Sequence, residues 1–177
     1  MTWLYPLHSK YIPNTFPYPA SQGLAHDGAF ATKRKFDMHT GVDLYCDPGA
    51  EVRACEDGKV VGLMQFTGEA AQSPWWNDTW AVMVEGASGV ICYGELMPAG
   101  NTQPGATVYA GNMLGLVLQV RKTDRGKPMT MLHLELYKHG TIEPVWWMHN
   151  ESIPVGLLDP TSFLVEAIDL VGAPFNF

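Results

Sequence analysis

Two short stretches of this chain carry side chains that could hold a metal ion. One is Asp37-Met38-His39-Thr40-Gly41-Val42-Asp43-Leu44; the other, far along the chain, is Leu132-His133-Leu134-Glu135-Leu136. Two neutral imidazoles and one carboxylate, here His39, His133 and Asp43, are the ligand set of an open zinc site, which keeps its fourth position for water or substrate. A histidine met alone is more often a hydrogen-bonded surface or core residue. The combination is what points to a metal of the catalytic kind.

The local sequence indicates how these residues are held. Gly41, between His39 and Asp43, disfavours a helix, so His39 is expected in the turn leading into a strand and Asp43 at its start. His133 lies inside the strand-like run Met131–Tyr137, where period-two alternation puts Met131, His133 and Glu135 on one face. Further runs rich in Val, Leu and Tyr are expected as strands at Val42–Cys46, Glu51–Ala54, Lys59–Gln65, Trp80–Glu85, Val90–Leu96 and Leu114–Val120. Turns such as Asp47-Pro48-Gly49, Asp57-Gly58, Ser88-Gly89 and Gln103-Pro104-Gly105 separate them. Only the end reads as helix: Asp159 can cap it, Pro160 suits its first turn, and Phe163, Leu164, Ala167, Ile168 and Val171 make one apolar face. Residues 1–35, rich in Pro, Gly, Ser and aromatics, read as an irregular lead-in wrapped on a domain spanning 36–177.

One internal echo stands out. Pro48-Gly49-Ala50-Glu51-Val52-Arg53-Ala54 recurs as Pro104-Gly105-Ala106-Thr107-Val108-Tyr109-Ala110, each copy followed by a turn and an apolar strand. Two similar hairpin-like units stacked into a sandwich are expected.

Composition narrows the function. A chain of 177 residues, 46% apolar and 16% charged, suits one globular domain with a real core. A net charge of -7 argues against nucleic acid, which needs clustered Lys and Arg. The one basic run, Lys33-Arg34-Lys35, reads as a solvated loop beside the site. No apolar window approaches the roughly 20 residues of a membrane span. The start, Met1-Thr2-Trp3-Leu4-Tyr5-Pro6, has neither the basic nor the apolar region of a signal peptide, so the expected location is cytoplasmic, or outside the cell by a non-classical route. Cys46, Cys55 and Cys92 lack C-x-x-C spacing and read as small buried hydrophobes.

The stretch from about Phe36 to Tyr137 resembles the lysostaphin/LytM-type zinc metallopeptidases. The resemblance rests on His39–Asp43 as H-x-x-x-D, the turn Asp47-Pro48-Gly49, the run Ala54-Cys55-Glu56-Asp57-Gly58-Lys59-Val60, a second Pro104-Gly105 turn and the late His133-x-Glu135. Leu158-Asp159-Pro160 follows in character. It implies a mainly β fold, the duplicated hybrid motif or barrel-sandwich hybrid, with a short C-terminal helix. It also implies one zinc ion on His39, Asp43 and His133, and a peptide or peptidoglycan substrate.

Two family histidines are missing. The first of its H-x-H falls on Met131, whose thioether takes no proton at neutral pH. The other, in a Y-x-H-L strand, falls on Glu95 of Tyr93-Gly94-Glu95-Leu96. A carboxylate beside the attacking water is a competent general base, so Glu95 is the catalytic candidate. The alternative from another class is a catalytically inactive zinc-binding module that recognises a peptide, glycan or protein partner. Glu135 is either the acceptor that orients a ligand imidazole or a charged strand residue in an ion pair. Trp75 and Trp76, in the loop that borders the family's cleft, either stack on substrate or plug the end of the sandwich. His8, His26, His139 and His149 have no partner at ligand spacing; His26, preceding the metal loop, is the one candidate for a replacement catalytic histidine.

Overall fold

Strands form where the sequence alternates short apolar runs with Gly- and Pro-containing turns. The computed structural model describes residues 2–12 and 27–171. Among these residues the strands are β1 Val42–Tyr45, β2 Glu51–Arg53, β3 Gly58–Thr67, β4 Thr79–Gly86, β5 Val90–Pro98, β6 Thr107–Val108, β7 Met113–Val117, β8 Met131–Tyr137 and β9 Leu157–Leu158. One α-helix follows, α1 Thr161–Val171, its first turn capped by Asp159 Oδ1 accepting from the Thr161 N–H at 2.8 Å. The fold is mainly β, as expected. The two-residue strands β6 and β9 escape a sequence reading because two positions cannot display a period of two. His26 and residues 13–25 of the lead-in lie outside the described residues.

All strand pairs are antiparallel, in the order β1-β8-β5-β4-β3-β6, with β7 joining β5 and β2, and β9 joining β8. The duplicated segments exchange partners. Around the first copy, Gly49 N–H donates to Val117 O and Val117 N–H to Ala50 O, at 2.8 and 2.9 Å. Around the second, Gly105 N–H donates to Val60 O and Val60 N–H to Ala106 O, at the same distances. Each Pro-Gly turn therefore closes on the strand that follows the other copy. Both turn glycines have positive φ, 80° and 93°, which L side chains adopt at a cost.

The central strands are buried on both faces, which is why they read as near-continuous apolar runs. Alternation divides their side chains. Val42, Leu44, Val82, Val84, Ile91, Tyr93, Leu132, Leu134 and Leu136 enter the main core, which also takes Leu164, Ala167 and Ile168 of α1. Ala81, Met83, Cys92 and Tyr137 face the other way, into a smaller cluster with Trp147 and Leu157. Asp43 and His133 fall on that second side by the same alternation. No helix among the described residues is long and apolar enough to cross a membrane.

The N-terminal segment meets α1 at Trp3. Its ring is fully buried, stacks on Phe163 of α1 at 4.6 Å, and donates from Nε1 to Ser88 Oγ at 3.1 Å. Trp3→Ala is expected to cost about 3–5 kcal/mol in urea unfolding, as truncation of a buried aromatic does; a loss under about 1 kcal/mol would show that this contact is dispensable.

Candidate metal centre

The centre is built on the β1–β8 ladder. Asp43 and His133 are directly opposed in its register, and His133 is opposed on its other side by Gly94 of β5. Opposed residues in an antiparallel pair have Cβ atoms about 4.5–5.5 Å apart, so the register alone brings these two ligand candidates together. His39 is delivered from the turn before β1. Its backbone is held there by Ala31 N–H donating to His39 O and His39 N–H donating to Thr32 O, both 2.9 Å. Gly41 is required at the crossing: a Cβ there would lie 2.5 Å from Leu134 O and 2.9 Å from His133 Nε2.

The three candidates converge. His39 Nε2 lies 3.1 Å from Asp43 Oδ1 and 3.1 Å from His133 Nδ1, and His133 Nδ1 lies 2.8 Å from Asp43 Oδ1. All three residues are buried. The far nitrogens settle the tautomers. His39 Nδ1–H donates to Ala29 O at 2.8 Å, and His133 Nε2–H donates to Glu135 Oε1 at 3.1 Å. Each acceptor accepts only, so the near nitrogens of the neutral rings present lone pairs to one another and to the carboxylate. Three lone pairs meeting in a buried space need a cation. Tetrahedral zinc with Zn–N near 2.0–2.1 Å spaces its ligand atoms about 3.3 Å apart, close to this triangle. The donor set therefore fits zinc.

Electrostatics make the same demand. In the metal-free site burial alone would raise Asp43, but its interactions with His39 and Arg34, followed by the hydrogen bond from His133, hold it well below the usual carboxylate range. Burial keeps His39 neutral, outweighing the pull of Asp43. Burial would also lower His133, yet its hydrogen bonds to Asp43 and Glu135, with their charges, raise it to about 10 in the metal-free site. That proton occupies the position a divalent cation would claim.

Glu135 is held by three donors: His133, Thr40 Oγ1 at 2.5 Å on Oε1, and Tyr137 OH at 2.9 Å on Oε2. Burial opposes its ionisation, but these bonds and the His133 charge lower it overall. Burial and the neighbouring Glu135 charge keep the Tyr137 phenol protonated, so it remains a donor. The Tyr137 hydroxyl also accepts from Val145 N–H at 3.1 Å. Phe66 packs against the His133 ring, centroids 5.4 Å apart.

Glu95 reaches the same groove through a backbone irregularity. Trp80 pairs with Leu96 but Val82 with Tyr93, so β5 carries one extra residue at Gly94-Glu95, a β-bulge. Glu95 adopts φ 67°, a left-handed conformation uncommon for a residue with a Cβ. It is buried, and its Oε2 has no hydrogen-bond partner. Burial, followed by the Asp43 charge, raises it to about 8 in the metal-free site.

A groove of about 280 Å³ is lined by Arg34, His39, Glu95, His133 and Glu135, and further along by Trp76 and by Pro144 to Trp147. Trp76 thus borders it, while Trp75 points to solvent, 64% exposed, and does not line it. Met131 is buried at the start of β8 and does not line it either. Burial pushes the thiols of Cys46 and Cys55 up to about 12 and Cys92 well up, so none is a thiolate. Two contributors gave no sequence signal. Arg34, within the run read as a solvated loop, turns its guanidinium onto Asp43 Oδ2, with Lys33 and Lys35 exposed on either side. Residues 143–149 form a groove wall tied down by Met38 N–H donating to Trp147 O at 2.8 Å and His149 Nε2–H bonding to the Arg34 and Asp37 carbonyls.

Comparison with known proteins agrees with this architecture. The sequence model of peptidase family M23 matches residues 37–144, more than half of the chain, and the protein belongs to that family. No curated protein matches. Among solved structures, CbpA from L. salivarius REN is similar with a TM-score of 0.56 at 18% identity, covering 96% of this chain and 98% of that one. The catalytic domain of the antimicrobial peptidase lysostaphin from Staphylococcus simulans gives 0.53 at 19% identity, covering 90% and 98%. A zinc-containing peptidase from Vibrio cholerae gives 0.53 at 21% identity, covering 87% and 41%. The chain spans only 36–42% of the length of several matched proteins. At these identities the likeness is one of fold.

Two outcomes are expected. Zinc binding at neutral pH releases protons, because His133 must give up the one it holds to present Nδ1; calorimetry in buffers of different ionisation enthalpy measures the release. Tyr137→Phe removes a hydrogen bond that holds Glu135 and weakens zinc binding about 10- to 100-fold in chelator competition, the usual effect of losing an outer partner of a ligand histidine.

Proposed function

We propose that this protein is a zinc-dependent peptidase that hydrolyses peptide bonds of peptidoglycan, with Glu95 in place of the usual catalytic histidine. The observation that carries the reading is the union in one groove of three converging lone-pair donors and a carboxylate with an unpartnered oxygen. His39 Nε2, Asp43 Oδ1 and His133 Nδ1 would hold the ion. Bound there, zinc supplies Lewis acidity toward a carbonyl oxygen and makes a water nucleophilic near neutral pH.

The chain's own residues do the rest. Ala29 O and Glu135 fix the tautomers that leave the two imidazole lone pairs free. Arg34 engages the second oxygen of Asp43, leaving Oδ1 for the ion. Glu95 accepts the proton of the attacking water at Oε2 and returns it to the departing amine. Its burial in the groove with Oε2 unpartnered leaves that oxygen available both to take and to give a proton. Peptidoglycan as the substrate class is carried over from the likeness to lysostaphin-type peptidases.

Met131 favours a second reading, a module that binds zinc and a peptide, glycan or protein partner without cutting. A thioether stands where the family has a histidine, and it cannot stabilise charge as an imidazole does. The two readings separate by digestion of purified peptidoglycan and of Gly-rich and D-Ala-containing peptides. The zinc-loaded protein should cleave, Glu95→Gln should lose about 10²–10⁴-fold in kcat while still binding zinc, and His133→Ala should lose both metal and activity. Zinc bound with no turnover of any substrate would leave the binding module.

A further inference from the structure

Basic charge is scarce on this chain and unevenly placed. Of its eleven Lys and Arg residues, three fall in Lys33-Arg34-Lys35 and four in the stretch from Arg121 to Lys127, against a net charge of -7. The fold brings these two distant segments to one edge of the groove. Asp27 joins them: its carbonyl accepts from Arg34 Nη2 at 3.3 Å, and its carboxylate pairs with Lys127 Nζ. Arg121 forms a β-bridge with Trp76, which lines the groove, and Lys122 Nζ donates to Pro74 O at 2.7 Å.

Most of this charge has no counter-charge. Among the described residues no carboxylate pairs with Lys33, Lys35, Arg121, Lys122 or Arg125, and residues 13–26 contain no Asp or Glu. Elsewhere on the surface, Lys10 and Arg53 do pair, with Asp47 and Glu51. Lys33, Lys35, Lys122 and Arg125 are all exposed. Cations gathered without partners at the edge of a cleft raise the local concentration of an anion.

The polar lining decides what kind of anion fits. Asp37 and Glu95 line the groove, the latter with a buried, unpartnered Oε2. Arg34 and Thr40 line it too, but Arg34 is paired with Asp43 and the Thr40 hydroxyl with Glu135. A continuous polyanion laid along this groove would set its charges against Asp37 and Glu95. A peptide avoids that conflict. Its uncharged amides can cross the acidic interior while a carboxylate beside the scissile bond reaches the basic edge.

Resting on the peptidase reading above, we propose that the basic edge formed by residues 33–35 and 121–127 selects peptides carrying free carboxylates beside the bond to be cut, over the same peptides with those carboxylates amidated. An exposed ion pair strengthens binding about two- to fivefold, so two carboxylates set a preference of roughly tenfold. Salt shortens the reach of such charges from about 10 Å at 0.1 M to about 3 Å at 1 M, so the preference falls as salt rises.

The test uses the zinc-loaded native chain and a variant combining Lys33→Gln, Lys35→Gln, Lys122→Gln and Arg125→Gln, with Lys59→Gln as control. The probes are D-Ala-containing hexapeptides identical but for two residues, both Glu or both Gln. Chromatography gives kcat/KM, and calorimetry gives Kd for any peptide that is not cut. The native protein should favour the Glu peptide about tenfold at low salt and lose that preference near 1 M. The combined variant should shrink the preference below about threefold while still binding zinc and cutting the Gln peptide as before, and Lys59→Gln should keep it. Cleavage indifferent to Glu or Gln, or a preference unchanged in the combined variant, would overturn the basic edge and leave the peptidase. Charge-dependent binding without cleavage would leave the edge and count against the peptidase. The edge is equally overturned if linear polyphosphate binds more tightly than the Glu peptide, or if neither peptide binds.

Discussion

The pairing of Asp43 with His133 across the β1–β8 ladder is the constraint on which this molecule turns. It places an acidic oxygen 2.8 Å from an imidazole nitrogen in a buried space, and His39 then closes the triangle. An assembly of acceptors facing one another is unstable unless a positive charge joins it. Much of the neighbourhood follows from that requirement. Ala29 O and Glu135 occupy the outer nitrogens, Arg34 takes the second oxygen of Asp43, and Thr40 and Tyr137 anchor Glu135. The centre is therefore a layered network, each layer fixing the orientation of the one inside it.

The sheet makes this network possible by being covered on both sides. One face of β4, β5 and β8 supplies the main core, and the other supplies the site and a smaller apolar cluster. A solvated second face would let water compete for every bond in the centre. Burial by residues 27–32 and 143–149 removes that competition and strengthens the electrostatic coupling among Asp43, His133, Glu95 and Arg34. The bulge at Gly94-Glu95 is one of the places where regular pairing is given up, and it is where the candidate proton carrier enters the groove. Left-handed backbone at a residue with a Cβ costs about 1–3 kcal/mol and persists only when its surroundings enforce it.

Membership of peptidase family M23 gives the scaffold and leaves the chemistry to be read from the residues present. Glu95 brings an ionisable oxygen into the groove, while Met131 is buried and does not line it. The exchange of partners between the two Pro-Gly segments gives the scaffold an internal pseudo-symmetry. The candidate metal centre breaks that symmetry, because among the described residues Asp43 and His133 alone set a carboxylate opposite an imidazole on paired strands.

Much of this was legible from the residues alone. Alternation and turn chemistry located the long strands and the final helix, because period-two burial and Pro-Gly punctuation are local properties. The spacing of His39 and Asp43, with a glycine between them, marked a candidate metal loop for the same reason, and His133 and Glu135 shared a strand face. What the chain order could not express was decided by tertiary contact. Arg34 sits among lysines and looks solvated until its guanidinium is found on Asp43; Tyr137 reads as a core residue until its hydroxyl is seen bridging Glu135 and Val145. Trp75 and Trp76 are sequence twins, and only packing turns one toward the groove and the other to solvent. Periodicity is written along the backbone, but a hydrogen bond between distant segments depends on where the whole sheet brings them.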